Sequence, residues 1–341
     1  MPEPPRTSTD IFRGCRMRSS SGAASPAAIS TGAFSRRWPS RNRDRPLACE
    51  RPPVKARAQI KTASSVQPEV RVPPYGRLMA ELPQRLDESA AYERFMGRWS
   101  RAVGAVFLDW VAPPAGARWL DVGCGTGIFT ELVLDACSPA AVFAVDPAEA
   151  QIDHACRQMV GQRANFRIAD AQALPFPNST FDVVASALVI NFIPDRLRAL
   201  CEMRRVARAR GLVAGYVWDF AAELSPSWPL RFGMRQIGAD VPQVPGTEAS
   251  SPGALNSLFE RAGFERIATR SIDVTVSFPD FADFWQSQTP SYSPIAKMIA
   301  AMTKSDRVRL IEIVRAGVPV CPDGRIEYPA RANAIKARVP D

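Results

Sequence analysis

Two rhythms of hydrophobic and polar positions organise the chain beyond residue 79. Over 89–110, Tyr92, Phe95, Trp99, Val103, Val106 and Phe107 recur at helical spacing. Pro113, Pro114 and Gly116 then break the pattern. After them, short apolar runs at 118–122, 141–145, 165–169, 181–188 and 212–218 read as strands. The stretches between, 128–136, 148–161 and 195–208, read as helices. A further helix at 254–262 ends on Gly263, ahead of a strand near 267–278. This alternation predicts an α/β fold built of β-α-β units, with a mostly parallel sheet and helices on both faces.

Residues 1–78 follow neither rhythm. They hold 11 of the 31 prolines, and 15 Lys and Arg against 5 Asp and Glu. Such a segment buries too little apolar surface to offset its ordering entropy, so a disordered basic arm is expected, with the folded domain at 79–341. Two other origins suit the same composition. Arg- and Ser-rich, acid-poor ends resemble organelle-targeting segments. Alternatively, translation starts at Met79, since Arg outnumbers Lys 38 to 5, as out-of-register GC-rich coding sequence would give.

The arm also carries the surplus charge. The whole chain is +9, but residues beyond 78 hold 28 Lys and Arg against 29 Asp and Glu. The global basicity is therefore no argument for nucleic acid as a partner. No apolar run approaches the roughly 20 residues that span a bilayer, and the N-terminus lacks a secretory core. The 7 cysteines form no C-x-x-C pair and suit reduced thiols in a cytoplasmic protein. The single histidine, His154, excludes His-rich metal sites, and no metal is expected.

The chemistry concentrates at the first strand-to-helix junction, Asp121-Val-Gly-Cys-Gly-Thr-Gly127. Alternate glycines let the backbone turn sharply and approach a ligand. The spacing is G-x-G-x-G, with Ile128 where the dinucleotide fingerprint would have its last glycine. The Asp121 carboxylate would repel a pyrophosphate and suits a cation such as an amino acid's ammonium group. Asp146 ends the second strand, where an acid is placed to accept hydrogen bonds from ribose hydroxyls. Asp146, Pro147 and Glu149 also read as a helix-capping box.

Asp121–Gly127, Asp146, Asp170-Ala171 and Phe181-Asp-Val-Val together resemble class I S-adenosylmethionine-dependent methyltransferases. The nearest subgroup is the small-molecule type 11 kind, which includes ubiquinone and menaquinone C-methyltransferases. The resemblance covers about residues 89–275. It implies a Rossmann-like seven-stranded sheet with an antiparallel terminal hairpin, its last strand at 325–337 after the Pro322-Asp323-Gly324 turn. It implies S-adenosylmethionine as cofactor and S-adenosylhomocysteine as product. Asp121, Gly123, Cys124, Gly125 and Gly127 would hold the methionine moiety, and Asp146, with Pro147 beside it, the ribose. Asp170 would accept from the adenine amino group, with Ala171 near the ring. Ser186 and Ala187 would lie beneath the sulfonium. The loop before the fifth strand departs from the usual Arg-Pro-Gly-Gly, reading Arg208-Ala-Arg-Gly211.

Methyl transfer is an in-line displacement in which the cofactor brings the electrophile, so no catalytic triad is required and no catalytic residue is assigned. Tyr92, Arg98, Asn191, Phe192 and Trp218 are the candidates for the acceptor side. Tyr92 and Arg98 lie on a helix able to fold over the cofactor, and the others follow the fourth and fifth strands. His154 lies on the ribose side and reads as structural. The run Arg196, Arg198, Arg204, Arg205, Arg208 and Arg210 reads as a solvated helix face and not as an RNA patch. Neither an Asn/Asp-Pro-Pro-Tyr/Phe signature nor a Pro-Cys pair is present, which disfavours base and glutamine amide acceptors. Two insertions, about 220–253 and 280–318, are rich in Trp, Phe and Met and could wall an apolar pocket. A small, partly apolar metabolite is the expected acceptor, with no nucleic acid and no membrane span. The rival readings are a cofactor-binding regulator without turnover and a methyltransferase acting on RNA or protein.

Overall fold

The computed structural model describes residues 86–158, 161, 163–290 and 293–341, and for 86–95 the backbone only. The arm at 1–78, Met79 and the Tyr92 side chain lie outside the described residues. Seven strands form one sheet: β1 (Arg118–Val122), β2 (Ala141–Asp146), β3 (Asn165–Ile168), β4 (Phe181–Ala187), β5 (Ala207–Trp218), β6 (Glu265–Phe278) and β7 (Ile326–Arg338). Their order is β3-β2-β1-β4-β5-β7-β6. The first five are parallel; β7 pairs antiparallel with both β5 and β6. The fold class is thus the one the sequence predicts, reversed hairpin included.

Nine helices among the described residues surround the sheet: α1 (Leu86–Val111), α2 (Ile128–Ala136), α3 (Glu149–Arg157), α4 (Arg196–Val206), α5 (Trp228–Gln236), α6 (Pro252–Arg261), α7 (Phe281–Gln288), α8 (Pro294–Ala301) and α9 (Lys304–Gly317). No helix among these residues is long and apolar enough to cross a membrane.

Period-2 alternation sorts the strands' side chains into two cores. On β5, Leu212, Ala214, Tyr216 and Trp218 join one cluster with Trp99, Val103 and Phe107 of α1. Val213 and Val217 join the other, with Leu200 and Met203 of α4 and Phe259 of α6. Val106, at helical spacing with its neighbours, is nevertheless 36% exposed, because the buried stripe of α1 is narrower than the sequence suggests. Val122 ends β1 and Ala187 ends β4, adjacent parallel strands from which the strand order proceeds outward to opposite edges of the sheet. Crevices at such a reversal, outside the carboxyl ends, are where open α/β sheets bind ligands.

The insertions fold as helices: 220–253 contributes α5 and a short 3-10 turn, Thr247–Ala249, and 280–318 contributes α7, α8 and α9. Arg98 on α1 reaches the second insertion, pairing with Asp283 on α7 at 2.6 Å.

Candidate functional site

A cavity of about 280 Å³ opens at the crevice between β1 and β4. Four strand ends supply one side of its wall: Gly123–Thr126 after β1, Asp146 and Pro147 at β2, Ala169 and Ala171 after β3, and Ala187 and Leu188 after β4. Val189, Phe192 and Ile193 close another side from the turn after β4. Tyr216 reaches it from β5, Ser100 from α1 and Pro294 from α8. Most of this wall is apolar, as in small-molecule sites generally, with a few placed polar groups.

The glycines act for different reasons. Both Gly123 and Gly125 hold a positive φ, of 79° and 53°. A Cβ on Gly123 would fall 2.5 Å from Val189, so this glycine admits the turn after β4. A Cβ on Gly125 would meet no atom within 4 Å, so there the loop backbone borders open space at the cavity. Gly127 is off the wall and stands at the start of α2, where its carbonyl accepts the Glu131 N–H at 2.8 Å.

Asp146 is buried, 7% exposed, yet it is on the wall. Its Oδ2 accepts the Gly125 N–H at 3.0 Å and its Oδ1 the Ala148 N–H at 2.9 Å. The capping box is not what forms: α3 begins at Glu149, its N-cap is Ala148, and no side chain caps it. Asp146 lies two positions too early, and its carboxylate reaches the glycine loop as well as the Ala148 N–H. An ionised carboxylate offers about four lone-pair sites, so two remain for donors such as a ribose diol. Burial raises the Asp146 pKa, opposed by those two N–H donors.

Asp121 is 1% exposed and lies behind the wall on β1. Thr130 Oγ1 donates to its Oδ2 at 2.7 Å, while Oδ1 has no partner. Burial pushes its carboxyl up to about 7, against the Thr130 hydrogen bond and with help from Asp146. An ammonium group reaching Oδ1 would satisfy that atom and favour the ionised form. Cys124 is on the wall, and burial followed by Asp146 and Asp121 pushes its thiol well up, so it is held as a neutral thiol and not as a nucleophile.

Other expected contacts are engaged elsewhere. Asp170 is off the wall, and both its oxygens accept the Gln172 side-chain amide at 3.0 Å, with the Gln172 backbone N–H also on Oδ1. Ala171, beside it, is on the wall. The Ser186 hydroxyl is fully buried and donates to the Val122 carbonyl at 2.9 Å, tying β4 to β1. Of the acceptor-side candidates, Phe192 alone among those described is on the wall. Trp218 instead packs edge-on to Trp99, with ring centroids 6.0 Å apart, because β5 alternation directs it into the α1 core. Asn191 is 1% exposed and donates from Nδ2 to the Pro245 carbonyl at 3.2 Å, pinning the first insertion to the turn. Arg98 is held by Asp283 and lies over the Phe278 ring. His154 is buried off the wall, beside Gln158.

The arginine run is a set of staples more than a solvated face. Arg196 donates to the Asn191 carbonyl, Arg198 to that of Gln172, and Arg204 to those of Ala262 and Gly263. Arg205 pairs with Glu202, Arg208 with Asp182 and Arg210 with Asp341.

Thr126, within the glycine loop, is also on the wall, and Gln151 and Tyr216 are wall residues that sequence reasoning missed. Thr126 Oγ1 and Gln151 Oε1 are buried with no hydrogen-bond partner, so each waits for a donor. Position in the first turn after Asp146 could have found Gln151. The 212-214-216-218 alternation could have found Tyr216, whose ring lies 4.7 Å from that of Phe107.

Residues 120–215 match the family model described as a methyltransferase domain. Three relatives are similar over part of the chain. The bifunctional biotin biosynthesis protein BioHC of Cellvibrio japonicus is 38% identical over 36% of this chain and 24% of its own length. The demethylmenaquinone methyltransferase of Roseiflexus castenholzii is 36% identical over 30% of this chain and 43% of its own. The mitochondrial arginine-hydroxylase NDUFAF5 of Rattus norvegicus is 30% identical over 47% of this chain and 46% of its own. The chain thus spans less than half the length of each of these relatives. Residues 120–215, which carry the glycine loop, Asp146 and the ends of β3 and β4, are a methyltransferase domain of type 11.

Proposed function

We propose that this chain transfers a methyl group from S-adenosylmethionine to a small, partly apolar acceptor. The observation that carries the reading is Asp146: a buried strand-end carboxylate on the cavity wall that already anchors the glycine loop and keeps acceptor capacity for a ribose diol. S-adenosylmethionine suits the rest of the donor set. Asp121 offers an unpartnered carboxylate oxygen for its ammonium group, and the neutral, apolar surface of Ala171 offers contact for a ring. When bound, S-adenosylmethionine would supply an electrophilic methyl on its sulfonium, open to displacement by a lone pair of the acceptor with S-adenosylhomocysteine as the leaving group.

The chain's own contribution is position and dryness. Leu188, Val189, Phe192, Ile193 and Tyr216 present an apolar wall that excludes water from the reacting atoms. Alignment of that kind can supply roughly 7–11 kcal/mol of rate acceleration in well-oriented systems. Cys124, held protonated, does not compete as a nucleophile.

Calorimetry with S-adenosylhomocysteine, followed by a labelled-cofactor assay on fractionated metabolite extracts, tests the reading. Binding of the nucleotide and label in a small compound support it. Failure to bind the nucleotide overturns it, and label in RNA or protein overturns the acceptor class. A second reading, nucleotide binding in the service of another reaction, is favoured by the similarity to a hydroxylase, and it predicts binding with no methylated product.

A further inference from the structure

A second cavity of about 170 Å³ lies under the first insertion, and its chemistry is opposite to that of the first. Arg231 and Arg235 of α5 are both on its wall. Arg235 is ordinary: it pairs with Glu223 at 2.8 Å and lies over the Trp228 ring. Arg231 is not. It is only 9% exposed, and its guanidinium donates to the Pro242 carbonyl. Among the described residues, no carboxylate lies within ion-pairing distance of it. Burial and the neighbouring Arg235 lower its pKa, against Glu223. The Glu223 carboxylate is on the same wall but is paired with Arg235, so it offsets the buried Arg231 charge only in part; such a charge is costly, and an anion would compensate it. Ser225 and Thr247 add hydroxyls to the same wall.

The two cavities are neighbours. Phe192 is on the wall of the first and Phe220 on that of the second, and their rings stack edge-on with centroids 6.2 Å apart. The Asn191 bond to Pro245 fixes the loop that closes the second cavity onto the turn that closes the first. Gly246 completes the join: a Cβ there would fall 1.8 Å from the Asn191 carbonyl oxygen.

We propose that the Arg231 cavity holds the anionic group, carboxylate or phosphate, of the methyl acceptor, whose remainder passes the Phe192–Phe220 pair to reach the first cavity. The proposal rests on the small-molecule methyltransferase reading and narrows it to acidic acceptors. Arg231 supplies a planar fork suited to two oxygens of one anion. Arg235 and Trp228 border the group; the Thr247 hydroxyl donates to the Val244 carbonyl at 2.7 Å and the Ser225 hydroxyl lies 3.2 Å from that of Ser227, so the guanidinium groups are the anion's donors. Arg231 and Arg235 are here binding residues and touch no reacting atom.

The test uses the full chain with S-adenosylhomocysteine present. Inorganic phosphate, succinate and the neutral succinamide are titrated by calorimetry at low ionic strength. Phosphate or succinate is expected to bind and succinamide not; which anion binds tells phosphate acceptors from carboxylates. Arg231→Met should weaken that binding by at least tenfold. Because a buried substitution can unsettle the fold, the exposed Arg235→Gln gives the second arm, with a loss of at least threefold. Both variants should keep the wild-type affinity for S-adenosylhomocysteine. In the labelled-cofactor assay, the product should be retained on an anion-exchange resin. Failure of both anions to bind the wild-type protein overturns the proposal, as does a labelled product that is uncharged. Loss of S-adenosylhomocysteine binding by the wild-type protein is a separate result, which overturns the methyltransferase reading instead.

Discussion

The half of the cavity wall proposed to hold the cofactor comes from four strand ends, whereas the half proposed for the acceptor comes from turns and helices that arrive from distant parts of the chain. At the strand ends, one residue often does one thing: Asp146 holds Gly125, and Ser186 holds Val122. Across the acceptor half, contacts run between segments far apart in sequence, as in Asn191 to Pro245, Phe192 to Phe220 and Arg98 to Asp283. The first half is local grammar repeated at successive strands. The second is a packing arrangement, in which the second insertion reaches the wall through Pro294 and the first packs behind Phe192 through Phe220. Substitutions in the two halves should therefore fail in different ways.

The largest effect is expected where an acceptor-side candidate turns out to be core. Trp218→Ala removes a ring that is 4% exposed and stacked on Trp99. It should cost about 3–5 kcal/mol of stability, read from denaturant unfolding. Loss of methylation with unchanged stability would return Trp218 to the acceptor surface and blur the distinction between the halves.

Next comes Asp146→Ala, which should weaken S-adenosylhomocysteine binding on the order of a hundredfold, since hydrogen bonds to a charged group contribute about 1.5–3 kcal/mol each. Its stability cost should be modest by comparison. Unchanged affinity in a folded variant would leave Asp146 with the glycine loop as its sole role.

A smaller effect is expected in pH dependence. Ionised Asp121 is the form an ammonium group favours, so with its carboxyl at about 7, affinity for the cofactor should fall by up to about tenfold per pH unit below 7. Asp146 and the Cys124 thiol face the same loop, and the Asp146 carboxylate is the one that shares in this titration. Stability runs the other way. The folded pKa of Asp121 is raised, so its contribution is fully present below about 4 and is lost as pH rises towards 7. Asp121→Asn should flatten both curves; a pH profile of affinity that Asp121→Asn leaves intact would remove the ammonium contact.

Smallest of all is Arg98→Ala. The Arg98–Asp283 pair joins α1 to the second insertion, but its side chains are 45% and 33% exposed. Its loss should cost about 0.2–1 kcal/mol and leave cofactor affinity unchanged. A large drop in affinity would mean that α1 closes over the cofactor after all.

The sequence was readable to the depth of its local rules. Strand β1 and helix α2 have the predicted bounds, because an apolar run and a glycine turn need no knowledge of the rest of the chain. The starts of β5 and β6 were less legible. β5 begins at Ala207, five residues early, because Ala207 pairs with Phe181 across an irregularity in register that no periodicity announces. At the site, Asp146 and the glycine loop were visible from position alone. Gln151 and Tyr216 were less so, since the first turn after Asp146 and the β5 alternation each name a face without saying that it meets the cavity. Trp218 was misplaced by the same limit. Being near a strand's carboxyl end does not say on which side of the sheet a ring falls.

The strand order carries a consequence for how the molecule comes into being. β6 reaches the sheet only through β7, and β7 is made after it. During synthesis, β5 therefore presents an open edge while α5 to α9 emerge, and β6 has no partner at all. Unpaired edges of this sort are where nascent chains associate wrongly. The charges strung along β6, at Glu265, Arg266, Arg270 and Asp273, are well suited to keep a waiting strand apart from its copies. A ribosome stalled before residue 326 would hold a chain whose five parallel strands are all made and whose sheet is still unsealed.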